Sequence, residues 1–166
     1  MKPNITLIGM PGAGKSTTGI ILAKLMSFGF IDTDVLIQTN QRKSLQDILD
    51  DSDHMNLRRI EEEEILKIRV KEHVIATGGS VVYSQTAMEH MGNNSVIVFL
   101  KADYDILKKR IKNFEYRGIA KAPDQTFIEL YKERQPLYEK YAQLTIECNN
   151  IFQEEAAELI AEKLKK

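Results

Sequence analysis

One eight-residue stretch limits what this chain can fold into more than any other feature. Gly9-Met10-Pro11-Gly12-Ala13-Gly14-Lys15-Ser16 has the spacing G-x-x-x-x-G-K-[ST], directly after a β-branched run at 4–9 and directly before a segment of helical periodicity. Glycines let successive backbone N–H groups turn inward round phosphate oxygens with no Cβ in the way. The helix that follows offers its positive end to the same anion. Lys15 can reach the β- and γ-phosphates, and the Ser16 hydroxyl can ligate Mg2+. Strand, loop and helix must follow in that order, which points to an α/β fold with a nucleotide at the strand end.

The rest of the chain continues the alternation. Apolar runs predict strands at 4–9, 28–32, 73–77, 95–100 and 144–148. Periodicity predicts helices from Lys15 to about Met26, over 35–41, from 53–55 to about Val70, and over 103–112, 124–142 and 153–165. Strands alternating with helices indicate a parallel sheet covered on both faces. At 166 residues this is one domain, 1–166. The polar piece at 113–123 contains Gly and Pro and lacks periodicity, so it is a candidate mobile loop, with an ordinary surface connection as the alternative.

Composition excludes several classes. Lys and Arg total 23 against 24 Asp and Glu, a net charge of -1, without the basic excess of a nucleic-acid binder. With 43% hydrophobic residues the chain is not of disordered composition. Cys148 alone cannot build a disulfide framework. No apolar run nears the roughly 20 residues that span a bilayer, and the N-terminus lacks a signal-peptide pattern. A soluble, cytoplasmic protein with no nucleic-acid or membrane partner is expected.

In a parallel sheet the strand C-termini share one edge, where ligands collect. That edge gathers the phosphate loop, Asp32 and Asp34, Thr77-Gly78-Gly79-Ser80, and Glu147 to Asn150. Asp32 is placed to hold Mg2+ through water, and Asp34 to take a hydrogen bond or a proton from an acceptor hydroxyl. Either aspartate can instead cap the next helix, and both readings can hold at once. Gly78-Gly79 would let a substrate lie against backbone, or form a simple turn.

Two arginines sit in apolar stripes. Arg134 falls on the face of the 127–141 segment that carries Phe127, Leu130, Tyr131, Leu137, Tyr138 and Tyr141. Burying a guanidinium is costly unless an anion meets it. Pro136 should bend or break that helix. Leu57, Ile60 and Ile68 define a second stripe, with Glu61 and Glu64 inside it. Arg58, one turn before Glu61, can pair with it, while Glu62 and Glu63 read as a solvated face partnered by Arg58 and Lys67. Each arginine is either a structural ion pair or a ligand anchor; beside a phosphoryl-donor site, the two suggest an acceptor carrying a carboxylate. His54, His73 and His90 form no ligand set, and nothing in the spacing of Tyr104 and Tyr116, at the candidate loop, shows a contact with nucleotide.

Taken in order, GMPGAGKST, FIDTD, LRRIEEEE, TGG, an arginine-bearing lid and ERQPLYEKYA resemble the shikimate kinase family from about Ile5 to Ile151. The resemblance implies a P-loop NTPase-type three-layer sandwich, a five-stranded parallel sheet in the order 2-3-1-4-5 between helices. It implies ATP and Mg2+, with Ser16 and Asp32 at the metal and Pro11, Gly12, Ala13, Gly14, Lys15, Ser16, Thr17, Arg110 and Asn149 at the nucleotide. It implies that Asp34, Arg58, Gly79 and Arg134 hold the acceptor, in a helical region at about 33–62. Lys15, Asp34 and Arg117 would serve the transfer itself, Arg117 reaching in from a lid at about 112–124. A monomer is the family's usual state. The implied reaction converts ATP and shikimate to ADP and shikimate 3-phosphate.

Three positions depart from the family pattern: Leu57 where Phe is usual, Ser80 where a third glycine is usual, and Arg117-Gly118-Ile119 in place of Arg-Pro-Leu. Leu57 removes an aromatic wall, Ser80 adds a hydroxyl near the acceptor, and Gly118 loosens a residue that proline would stiffen. The rival readings are a same-fold kinase of another hydroxy acid or polyol such as gluconate, and a nucleotide-binding regulator without transfer activity. A GTPase switch is disfavoured, since neither N-K-x-D nor D-x-x-G occurs.

Overall fold

The computed structural model describes residues 2–112, 114 and 117–165. Five parallel strands, β1 (Asn4–Ile8), β2 (Gly29–Asp32), β3 (His73–Ala76), β4 (Ser95–Lys101) and β5 (Leu144–Glu147), form one sheet in the order β2-β3-β1-β4-β5. β1 lies in the middle, paired from Ile5↔Val74 on one side and Asn4↔Ser95 on the other. All five of its residues are buried, the polar Asn4 and Thr6 included, as a central strand covered on both faces requires. Asn4 ties the strand starts together: its amide donates to the Val70 and Asn94 carbonyls and its oxygen accepts from the His73 N–H.

Among the described residues eight helices connect and cover the sheet: α1 (Lys15–Met26), α2 (Thr33–Gln41), α3 (Leu45–Asp51), α4 (His54–Lys67), α5 (Gln85–Asn94), α6 (Tyr104–Arg110), α7 (Phe127–Tyr141) and α8 (Gln153–Lys165). α1 packs on α8, while α4, α5 and α7 gather round a 3-10 turn at Val81–Tyr83. A small second core of Ile37, Ile48, Leu57, Ile60 and Ala120 holds α2, α3 and α4 together beside the strand ends.

The sequence reading needs four corrections. It had no helix at 45–51, although Ser44 and Asp47 form a reciprocal capping box there. It missed α5, whose apolar face is Ala87, Met88 and Met91 and whose N-terminus is capped by Ser84. α4 stops at Lys67, short of Val70, because Ile68 is already extended and leads into β3. α7 runs unbroken through Pro136. Pro136 and Lys132 are both exposed, so water can take the carbonyl that the proline leaves without a donor.

Candidate active site

The site is a cavity of about 710 Å3 at the C-terminal edge of the sheet. Its floor is the phosphate loop, where Gly9, Gly12 and Gly14 all have positive φ, at 148°, 85° and 92°. Those angles turn the loop's N–H groups inward and exclude most L side chains. Pro11, Gly12, Gly14, Lys15, Ser16 and Thr17 face the cavity. Ala13 does not: it is packed beneath the loop, its N–H bonded to the Met10 carbonyl. Lys15 Nζ donates to the Gly9 and Met10 carbonyls at 2.6 and 2.9 Å, and burial pulls its pKa down to about 8. It still carries its charge at neutral pH.

Asp32 does both things the sequence allowed. Its Oδ1 caps α2, accepting from the N–H groups of Asp34 and Val35. Its Oδ2 accepts from the Ser16 hydroxyl at 2.5 Å. A hydroxyl and a carboxylate this close at a phosphate loop are the hard oxygen donors that suit Mg2+, so the residues fit the ion.

Asp34 lines the cavity, and burial, then the charge of Asp32, pushes its pKa up to about 6. Glu61 lies beside it on α4 and is 3% exposed. Burial, then the Asp34 charge, lifts Glu61 to about 7. The Ser80 hydroxyl donates to Glu61 Oε2, while Oε1 has no partner among the described residues. Gly78 explains how these groups fit: a Cβ there would overlap Glu61 Oε1 and lie 2.8 Å from Asp34 Oδ1. Gly79 is equally tight, its ideal Cβ lying 2.8 Å from Arg134 Nη1 and 3.0 Å from Pro11 Cδ.

Arg134, 1% exposed, reaches the cavity from α7. Its Nη2 donates to the Ala120 carbonyl at 2.7 Å and its Nε to the Tyr83 hydroxyl at 3.4 Å. Arg58 is not paired with Glu61, contrary to the sequence reading. Its guanidinium lies 3.6 Å from the centre of the Tyr83 ring, and it is not among the residues lining the cavity. Ser80 holds Glu61 through Oε2, and the Arg58 guanidinium stacks on Tyr83 instead of turning toward Glu61. The other α4 acids also differ from expectation: Glu62 accepts from Ser84, Glu63 pairs with Arg59, and Lys67 pairs with Glu64.

Arg110 and Arg117 also line the cavity. Arg110 Nη2 donates to the Cys148 carbonyl at 3.0 Å, fixing the loop after β5. Asn149 does not reach the cavity; its oxygen accepts from the Asp103 N–H. Tyr104 packs against Phe127 and Tyr131, and Tyr116 lies outside the described residues. Gly118 does not loosen its segment. It is buried, with φ 64°, its N–H bonded to Gln46 Oε1, and a Cβ would overlap Leu45. A proline could neither adopt that angle nor donate that bond. The reading also missed Gln153, which meets Gly14 from the start of α8; no local pattern links residues so far apart in the chain.

A family model described as shikimate kinase matches residues 11–165. The chain belongs to the shikimate kinase family. The family member from Caldanaerobacter subterraneus is 35% identical over 158 residues, covering 93% of this chain and 92% of that protein. The one from Clostridium botulinum strain Okra is 36% identical over 162 residues, covering 95% and 94%. A solved structure of shikimate kinase from Acinetobacter baumannii in complex with shikimate superposes with a TM-score of 0.91 at 27% identity, covering 99% of this chain and 94% of that one. Membership makes the chain an ATP- and Mg2+-dependent phosphotransferase with the P-loop kinase fold. Among the described residues no helix is long and apolar enough to cross a membrane.

Proposed function

We propose that this chain transfers the γ-phosphoryl group of ATP to a hydroxyl of shikimate, giving ADP and shikimate 3-phosphate, with the site residues in the following roles. The observation that carries the acceptor assignment is Arg134. It is a buried guanidinium at the cavity wall with no carboxylate of the described chain in ion-pair range, held by a carbonyl and a phenol. A carboxylate on the acceptor supplies the missing counter-charge in a bidentate geometry. Leu57 and Gly79 shape the same half of the cavity.

The nucleotide lies on the loop from Pro11 to Thr17, with Arg110 at its far end. Lys15 and Arg117 meet the charge of the moving phosphoryl group. Ser16 and Asp32 would hold Mg2+, which would further neutralise the phosphate oxygens. Asp34, whose pKa lies near neutrality, orients the attacking hydroxyl and takes its proton late. Positioning and charge stabilisation carry most of the acceleration. The chain acts as one kinase domain over 1–166, with an acceptor region at about 33–62 and a lid at about 112–124 that excludes water, and works as a cytoplasmic monomer.

The test is an acceptor panel with the purified protein, MgATP and coupled ADP detection. Shikimate should support turnover well above the acceptor-free rate, with gluconate and simple polyols near background. Preferential turnover of gluconate would replace the acceptor assignment, and ATP binding without transfer to any acceptor would make the chain a regulator.

A further inference from the structure

Arg58 and Arg134 come from different helices, α4 and α7, yet both contact one side chain that neither helix carries. Tyr83, at the end of the 3-10 turn, has the Arg58 guanidinium 3.6 Å from its ring centre and that of Arg134 at 5.3 Å. Its hydroxyl accepts from Arg134 Nε at 3.4 Å and donates to Glu133. Among the described residues neither arginine has a carboxylate in ion-pair range, and Arg58 Nε is buried without a hydrogen-bond partner. Two like charges are thus gathered round the negative face and the oxygen of a single aromatic ring.

The ring is itself held firmly. Val81 and Val82 anchor the turn in the core, at 1% and 2% exposure. On either side of Tyr83 a serine hydroxyl is bonded to α4: Ser80 to Glu61 and Ser84 to Glu62. Ser80 engages Glu61 through Oε2, and the Arg58 guanidinium is set by the Tyr83 face together with Met55 Sδ at 3.9 Å.

We propose that Tyr83 is a positioning residue for the acceptor carboxylate, its ring holding Arg58 and Arg134 in one fixed relation. Tyr83 and Arg58 do not line the cavity; Tyr83 acts through Arg134, which does, with Arg58 stacked on the same ring. This deepens the proposed function and rests on it, since the carboxylated acceptor comes from that reading.

The experiment compares wild type, Tyr83→Phe and Tyr83→Leu in steady-state kinetics with shikimate and MgATP, alongside thermal melts and NMR of the arginine side chains. The Leu variant should raise the shikimate KM about tenfold, leaving the ATP KM and kcat within about twofold. The Phe variant, which keeps the ring, should hold the shikimate KM near wild type. In wild type, ring current should shift the Arg58 side-chain protons upfield of those of exposed Arg59, and the Phe variant should keep that shift. An unchanged shikimate KM in the Leu variant, a Phe variant as impaired as Leu, or unshifted Arg58 protons in wild type would each overturn the inference. So would a Leu variant that loses kcat and both KM values together with its melting temperature, since that marks a purely structural role. Wild type that turns over no carboxylated acceptor overturns the proposed function and this inference with it. Turnover with kinetics indifferent to Tyr83 overturns the inference alone.

Discussion

Arg134 Nη2 donates to the Ala120 carbonyl at 2.7 Å, so the guanidinium that faces the acceptor half of the cavity also holds the chain just beyond Arg117. One side chain therefore links the wall proposed for the acceptor to the segment carrying Arg117, the arginine proposed to meet the phosphates. Gly118, docked on Gln46 two residues earlier, completes the attachment.

That link makes Arg134 the most informative position for acceptor affinity. Arg134→Lys keeps a charge and loses the fork, so shikimate affinity should drop by roughly 30-fold or more, the scale for truncating one member of a buried charged pair. ATP affinity should stay near wild type. Isothermal titration of each ligand separates the two, and equal loss of both would remove Arg134 from the acceptor site.

Asp32 caps α2 and, in the proposed function, holds Mg2+ with Ser16; two substitutions separate these roles. Asp32→Asn keeps a good cap and loses the charge beside Ser16, so its melting temperature should match wild type while activity needs far more Mg2+. Asp32→Ala should lose both, with stability lower by about 1 kcal/mol. Mg2+ titrations of activity, read beside thermal melts, check the pair.

Two glycines give opposite outcomes for the same added methyl group. Gly78→Ala forces a Cβ onto Glu61 and Asp34 and should reduce kcat/KM by about 100-fold, the scale of displaced catalytic geometry. Gly92→Ala, inside α5 with nothing within 4 Å of its Cβ, should leave kinetics unchanged and add up to about 1 kcal/mol of stability.

Much of this was legible in the sequence, for physical reasons that differ by region. The phosphate loop and β1 are local: a glycine pattern and a buried strand carry their own signatures. Arg134 was legible as a charge inside an apolar stripe. α3 could have been found from the Ser44–Asp47 box, whereas α5, with three apolar residues on its buried face, gives only a weak periodic signal. The partners of Arg58 and Glu61 were not legible. Helical spacing predicts that they pair, and only the tertiary placement of Ser80 and Tyr83 against α4 separates them. Asn149 was misplaced because its backbone neighbourhood, at a strand end, does not say which way its side chain turns.

The buried carboxylates predict an unusual pH dependence of stability. Glu61 titrates near 7 when folded against 4.5 ordinarily, because burial and the Asp34 charge disfavour its ionised form. Between those values the unfolded chain has released the proton and the folded chain keeps it, so stability falls as pH rises through the window. Asp34 acts in the same direction, from 3.8 to about 6. Urea melts at about pH 5 and about pH 7.5 should show a loss on the order of 1 kcal/mol or more, which Glu61→Gln reduces. Stability that rises over this range in wild type would contradict the placement of Glu61.

The central claim is that guanidinium groups on the acceptor side recognise a carboxylate. It is tested most directly by comparing kcat/KM for shikimate with that for its methyl ester, which keeps every hydroxyl and loses the charge. The account predicts at least about a 100-fold lower value for the ester, carried mainly by KM. Equal turnover of acid and ester would contradict it.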